Sequence, residues 1–156
     1  MAQLISIVYR PLDREYAAGE IDFIRVPLET AELVAGHGLA GDRKGKGNRD
    51  RQVNVLSSGW LAEAAARGYR AAPGQFGEQL IVDLPNLETL PAGTRLTVGD
   101  AAVLEIVKGR TGCSRLVAAQ GKPIEGLGPI GVLARVVNGG TIRVGDTVVV
   151  PVVALA

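Results

Sequence analysis

The chain has one cysteine, Cys113, and one histidine, His37, in 156 residues. A single cysteine excludes an internal disulfide. The pair falls short of the roughly four Cys/His ligands of a structural zinc site, so a bound metal would take most of its ligands from elsewhere. Aromatic residues make up only 4% of the sequence, with one tryptophan. A formal net charge of +1 gives no global attraction to nucleic acid or anionic lipid, so any electrostatic specificity is local. The longest apolar run, "VVVPVVALA" at 148–156, is far below the ~20 residues that cross a bilayer, and "MAQLISIVYR" has no basic region ahead of its apolar residues. Neither a membrane nor a nucleic acid is an expected partner, and a cytoplasmic location is expected.

Glycine, by contrast, is abundant, at 21 residues. With 47% hydrophobic residues the chain is expected to form one domain, 1–156, with a single core and many turns. Short β-type runs recur at 4–9, 21–26, 52–56, 79–83, 95–98, 102–107 and 131–137, with two more around 141–150. Gly99-Asp100 and Gly145-Asp146 each interrupt two β-rich runs, which predicts two type II′ hairpins. "SSGWLAEAAARG" predicts a helix capped by Ser58 and Gly68, with Trp60, Leu61, Ala64 and Ala65 on one face. "RLVAAQ" at 115–120 predicts a second short helix whose N-terminus points at Cys113. The fold class is mainly β, and closely spaced strands predict a closed barrel, which leaves no exposed edges.

Four stretches bear on chemistry. "GLGPIG" at 126–131 matches G-x-G-x-x-G, but neither a strand before it nor a helix after it is predicted, so it reads as a loop rather than a dinucleotide site. "GDRKGKGNRDR" at 41–51 gathers Arg43, Lys44, Lys46, Arg49 and Arg51 among glycines. That composition suits a phosphate and equally suits a solvated surface loop. Cys113 lies in "KGRTGCSR". Free cysteine often behaves as a small buried hydrophobe, yet Lys108, Arg110, Arg115 and a helix N-terminus would each stabilise its thiolate. His37, in "GHGLAGD", is the sole histidine that could activate a Cys-His nucleophile, and equally a structural side chain.

"GLAGDRKG", "RQVNVL", "PGQFGEQLIV", "LPAGTRLTVGDAAVLEIV", "GCSRL" and "GVLARVVNGGTIRVGDTVVV" occur in that order. Together they resemble the MOSC domain, named after the C-terminal domain of molybdenum cofactor sulfurase. The resemblance runs from about residue 25 to 150. It implies a β-barrel similar to the small barrel domain of pyruvate kinase, with the cysteine at a cofactor pocket. Cys113 would then carry a persulfide sulfur, as in the sulfurases, or ligate molybdenum directly, as in relatives that reduce N-hydroxylated compounds. A third reading, from a different class, is a non-catalytic ligand-binding barrel.

Residue by residue, the family's G-D-R falls on Gly41, Asp42 and Arg43, its R-Q-V on Arg51, Gln52 and Val53, and its P-G-x-x-G-E on Pro73, Gly74, Gly77 and Glu78. The arginine of its G-V-x-A-R-V strand is Arg135. Lys44 stands where a histidine often follows G-D-R, Gln79 where an asparagine often follows G-E, and Gly112 where a proline often precedes the cysteine. The resemblance makes Gly41, Asp42, Arg43, Lys44, Arg51, Gln52, Glu78, Arg110, Arg115 and Arg135 candidate cofactor-binding residues, for molybdenum cofactor or a related pterin. No pyridoxal-phosphate desulfurase region and no electron-transfer domain is read in the chain. The expected partner is therefore a cysteine desulfurase or an electron-transfer protein.

Overall fold

The computed structural model describes residues 1–11, 25–42, 51–112 and 114–151, and of Ser114 and Arg115 only the backbone. Apolar alternation in "LISIVY" forms β1 (Leu4–Tyr9), burying Leu4 and Ile7 while leaving Ile5 43% exposed. There follow β2 (Val26–Leu28), β3 (Thr30–Val34), β4 (Gly38–Leu39), β5 (Val53–Ser57) and α1 (Ser58–Ala66). Beyond them come β6 (Leu80–Val82), β7 (Arg95–Val98), β8 (Ala102–Gly109) and α2 (Ser114–Gln120), then β9 (Val132–Asn138), β10 (Gly140–Arg143) and β11 (Val148–Val149). Residues 21–24 of the strand expected at 21–26 lie outside the described residues.

The strands form an eight-stranded sheet, in the order β11-β7-β8-β9-β5-β6-β1-β2, and a three-stranded sheet, β10-β3-β4. The fold is mainly β with two short helices, but among the described residues the expected closed barrel is not formed. Among them no ladder joins β11 to β2. Instead the sheet curls until an isolated bridge, Gln3 to Thr147, brings the start of β1 against the approach to β11. There Leu4 N donates to Asp146 O at 2.8 Å and Gly145 N to Leu4 O at 2.7 Å.

The two expected hairpins are also revised. Val98 pairs with Ala102, so the β7–β8 turn is a three-residue loop, 99–101, with Gly99 at φ +66°. At Gly145-Asp146 there is no hairpin, because β10 pairs with β3 and β11 with β7. The turn carries the chain from one sheet to the other, and Asp146 Oδ2 steadies it by accepting from Arg143 N at 2.8 Å.

α1 starts one residue earlier than expected. Ser57 is its N-cap and accepts from Trp60 N at 3.2 Å, leaving one of the first helical amides satisfied. Gly68 follows the helix at φ +86°. Leu61 and Ala64 are buried, Trp60 is half-buried, and Ala65 is exposed.

β5 is buried along its whole length, and its alternation divides the interior in two. Val53 and Val55 face the main core with Leu4, Leu80, Leu104, Ile106 and Ala134. Leu56 faces the other way, into a smaller core with Leu61, Phe76, Ile81, Leu116, Ile124 and Ile130. β6 repeats the division, with Leu80 and Val82 in the first core and Ile81 in the second. Burying each such side chain contributes about 1.5–3 kcal/mol. The smaller core is the platform for the site. Among the described residues no helix is long and apolar enough to cross a membrane.

Candidate functional site

Past Gly109 the chain leaves β8, and the segments on either side of position 113 form a pocket of about 650 Å³. Its walls come from Gly109 to Gly112, from Val117 on α2, and from Ile124, Glu125, Gly128 and Pro129 on the return to β9. Apolar packing against Leu116, Ile124 and Ile130 ties these walls to the smaller core. Side chains on the α2 return complete the attachment. Gln120 accepts from Arg70 N at 2.7 Å and donates to Arg70 O at 2.8 Å, while Lys122 donates to Arg67 O at 2.8 Å. The Tyr69 hydroxyl donates to Pro123 O, and Lys122 Nζ stands 4.1 Å from the Tyr69 ring centre.

Arg110 is the pocket's buried charge, 9% exposed. Its backbone is clamped by the segment entering β9: its amide donates to Gly131 O at 3.0 Å, and its carbonyl accepts from Ile130 N at 2.8 Å. Its guanidinium donates to Phe76 O. Two glycines permit this close layering. A Cβ on Gly131, at φ +68°, would lie 2.2 Å from Val55 O, and one on Gly112 would lie 2.1 Å from Ile124 Cδ1.

Beneath the pocket a chain of polar side chains runs through the interior. Glu78 is fully buried, and its two oxygens accept from Gly74 N at 2.7 Å and Phe76 N at 3.1 Å. Burial pushes this carboxyl above its ordinary value, against the pull of the turn amides and of Arg110. The Asn54 side chain donates to Gly77 O at 3.1 Å, and its backbone N–H donates to Gln79 Oε1 at 2.7 Å. Gln79 Nε2 then donates to Asp42 Oδ2 at 2.8 Å, and Asp42 Oδ1 accepts from Arg10 N at 2.9 Å.

The residues expected at a cofactor site therefore divide. Arg110 lines the pocket, while Glu78 is turned into the fold just behind it. Gly41, at φ +81°, and buried Asp42 close the turn that leads into the basic loop, whose Arg43 and Lys44 lie outside the described residues, as does Cys113. Arg51, at the far end of that loop, is exposed. Gln52 is 3% exposed and accepts from Val136 N at 2.8 Å, a bond internal to the sheet. Arg115 is on α2, its side chain not described. Arg135 donates to Glu105 at 3.1 Å from its Nε, opposite Arg95, which holds the other oxygen of Glu105 at 3.2 Å. The two arginines keep the Glu105 carboxyl below its ordinary value. Half-buried His37 closes a turn with its amide on Val34 O at 3.0 Å.

Val117, Ile124, Glu125, Gly128 and Pro129 were not anticipated as pocket residues. The "GLGPIG" loop supplies one wall, and its signal lay less in the glycine pattern than in its return to β9 beside the end of β8. Among the described residues no three His, Cys, Asp or Glu side chains gather as a metal-binding group.

The family model of the MOSC domain matches residues 42–149, and the chain belongs to that family of molybdenum-cofactor-associated domains. Similar solved structures include the YuaD protein from Bacillus subtilis, at 19% identity and TM-score 0.69, covering 95% of this chain and 94% of that one. YiiM from Geobacillus stearothermophilus gives 20% identity and TM-score 0.70 over 97% of this chain and 75% of that one. YiiM from Escherichia coli gives 22% and 0.61, over 96% and 71%. These likenesses bear on the fold. No curated protein matches the chain.

Proposed function

We propose that this is a cytoplasmic protein that binds molybdenum cofactor or a related pterin and uses Cys113 to carry sulfur. The reading is carried by the pocket, whose walls come from the four residues before position 113 and, beyond it, from Val117 and the 124–129 return. Its volume lies in the range of small-molecule and cofactor sites, and its make-up, mainly apolar with few charged groups, is typical of them. Val117, Ile124 and Pro129 suit the faces of a flat heterocycle, and Arg110 and the glycine backbone suit its anionic groups. Bound there, the cofactor would supply a metal that takes soft sulfur ligands, matching the thiolate as the protein's own contribution.

The chain's part in the chemistry is to hold that thiolate and receive sulfur. Arg110 favours the ionised thiol through its charge. The Cys113 thiolate attacks the outer sulfur of a persulfide on a partner cysteine desulfurase. The donor's S–S bond breaks, the donor leaves as a thiolate, and Cys113 keeps the outer sulfur as its own persulfide.

The test is intact mass of the protein after incubation with a cysteine desulfurase and cysteine. One added sulfur, removable by a thiol reductant, is expected on the wild type and none on Cys113→Ser, with both proteins unfolding at the same temperature. Equal loading of the two would overturn the reading. Molybdenum retained by the wild type without added sulfur would favour Cys113 as a metal ligand in a reductase.

A further inference from the structure

The P-G-x-x-G-E stretch looks like a seat for an external anion. Gly74 and Gly77 take φ values of +88° and +77°, and the amides of residues 74 and 76 point toward one spot. Backbone amides so gathered form an anion-binding concavity. Here the chain fills it from within. Glu78, 0% exposed, places one carboxylate oxygen on each amide, so the turn is closed to a ligand phosphate.

The same turn faces the pocket on its other side. Phe76 gives its N–H to Glu78 and its carbonyl to the guanidinium of Arg110. Glu78 and Arg110 thus bracket a single residue, and the cation is held where the turn puts that carbonyl. We propose that Glu78 is a positioning residue: by ordering the 74–77 turn it sets the direction of the Phe76 carbonyl and so fixes Arg110 at the wall of the pocket. The geometry stands by itself, while its importance for sulfur or cofactor handling rests on the reading of the pocket given above.

The surroundings of Glu78 isolate the coupling. β5 contributes neutral Asn54 and the residue before β6 contributes neutral Gln79. α2 contributes Gln120, which donates to the neighbouring Gln75 carbonyl at 3.4 Å. Asp42 is reached only through Gln79. Among the described residues, Arg110 is the charged group that acts on Glu78 directly. A change in the ionisation of Glu78 is therefore felt first at Arg110.

The experiment follows the Arg110 guanidinium resonances, the Nη protons that reach Phe76 O included, in ¹⁵N-labelled, cofactor-free protein, assigned by their loss in Arg110→Lys. In the wild type they should be resolved and should titrate at a pH above the ordinary glutamate value of 4.5. In Glu78→Gln the titration should vanish and exchange with water should quicken by about tenfold, as expected on weakening a charge-assisted hydrogen bond. Glu78→Asp, which keeps the charge but withdraws it, should show an intermediate exchange rate and serves if the glutamine variant fails to fold. An unchanged resonance and titration in a folded variant, accompanied only by a lower Tm, would overturn the proposal. Sulfur loading of Cys113 separates it from the functional reading. Normal loading with an Arg110 signal indifferent to Glu78 sinks the positioning role alone, whereas absent loading with a signal that follows Glu78 supports that role and sinks the sulfur-carrier reading.

Discussion

Gln79 donates its side-chain amide to the carboxylate of Asp42 at 2.8 Å, and both residues are almost wholly excluded from solvent, at 1% and 0% exposure. The contact joins the base of the basic loop to the residue that follows Glu78. A single side-chain amide thereby serves both Asp42 and the Asn54 backbone N–H.

Replacing Gln79 by leucine keeps the volume but strips a donor from a buried carboxylate and an acceptor from a buried amide. A loss of about 3 kcal/mol in unfolding free energy is expected by denaturant titration. Gln79→Asn should lose less and should recover part of the bonding.

Glu78 should give the protein an unusual pH dependence. Its native pKa is raised above the unfolded value, so between the two the native state binds more protons than the unfolded one, and stability falls as pH rises. The stability of the wild type relative to Glu78→Gln should accordingly be greatest below pH 4.5 and decline as pH climbs through the raised value. Paired urea titrations across that range check the sign.

Glu105 should behave in the opposite way. Its pKa is lowered by Arg135 first and Arg95 second, so its contribution is present above pH 4.5 and disappears as the carboxyl protonates on acidification. Because Arg95 and Arg135 are about half exposed, with side-chain exposures of 56% and 43%, Glu105→Gln should cost only about 1 kcal/mol or less at neutral pH. Added salt should shrink the difference.

Gly131→Ala should be among the most damaging small changes. The new methyl would meet the Val55 carbonyl at 2.2 Å in a backbone conformation already unfavourable to side chains, and the neighbouring clamp on Arg110 would shift with it. A loss of about 2 kcal/mol or more is expected by thermal or chemical denaturation, together with weaker sulfur loading.

What the sequence disclosed follows the range of the forces involved. β1 and β7 coincide with the runs read at 4–9 and 95–98, since alternating burial is written in neighbouring residues. The helix after Cys113 and the helix of the alanine-rich stretch were visible for the same reason. "TAELV" was not recognised as β3, because Ala31, Glu32 and Leu33 are ordinary helix formers whose strand identity comes from pairing with Gly140–Arg143, far along the chain. That same long-range pairing undid the expected hairpin at Gly145. Glu78 was a candidate through the family resemblance alone; that its carboxylate turns inward onto the amides of its own turn is a folded arrangement no motif spells out. Arg135 was a cofactor candidate through the resemblance, and its cross-strand position opposite Glu105, which only the folded sheet reveals, gives it a carboxylate partner.

The unequal division of the interior at β5 has a kinetic consequence. The lesser cluster, with Phe76 between Trp60 and Tyr69, can lose its order while the larger one persists. Amide protons of α1 and α2 should then exchange through openings smaller than complete unfolding, ahead of those in β8 and β9. Breathing of this kind would let a bulky guest enter and leave without dismantling the sheet that carries it.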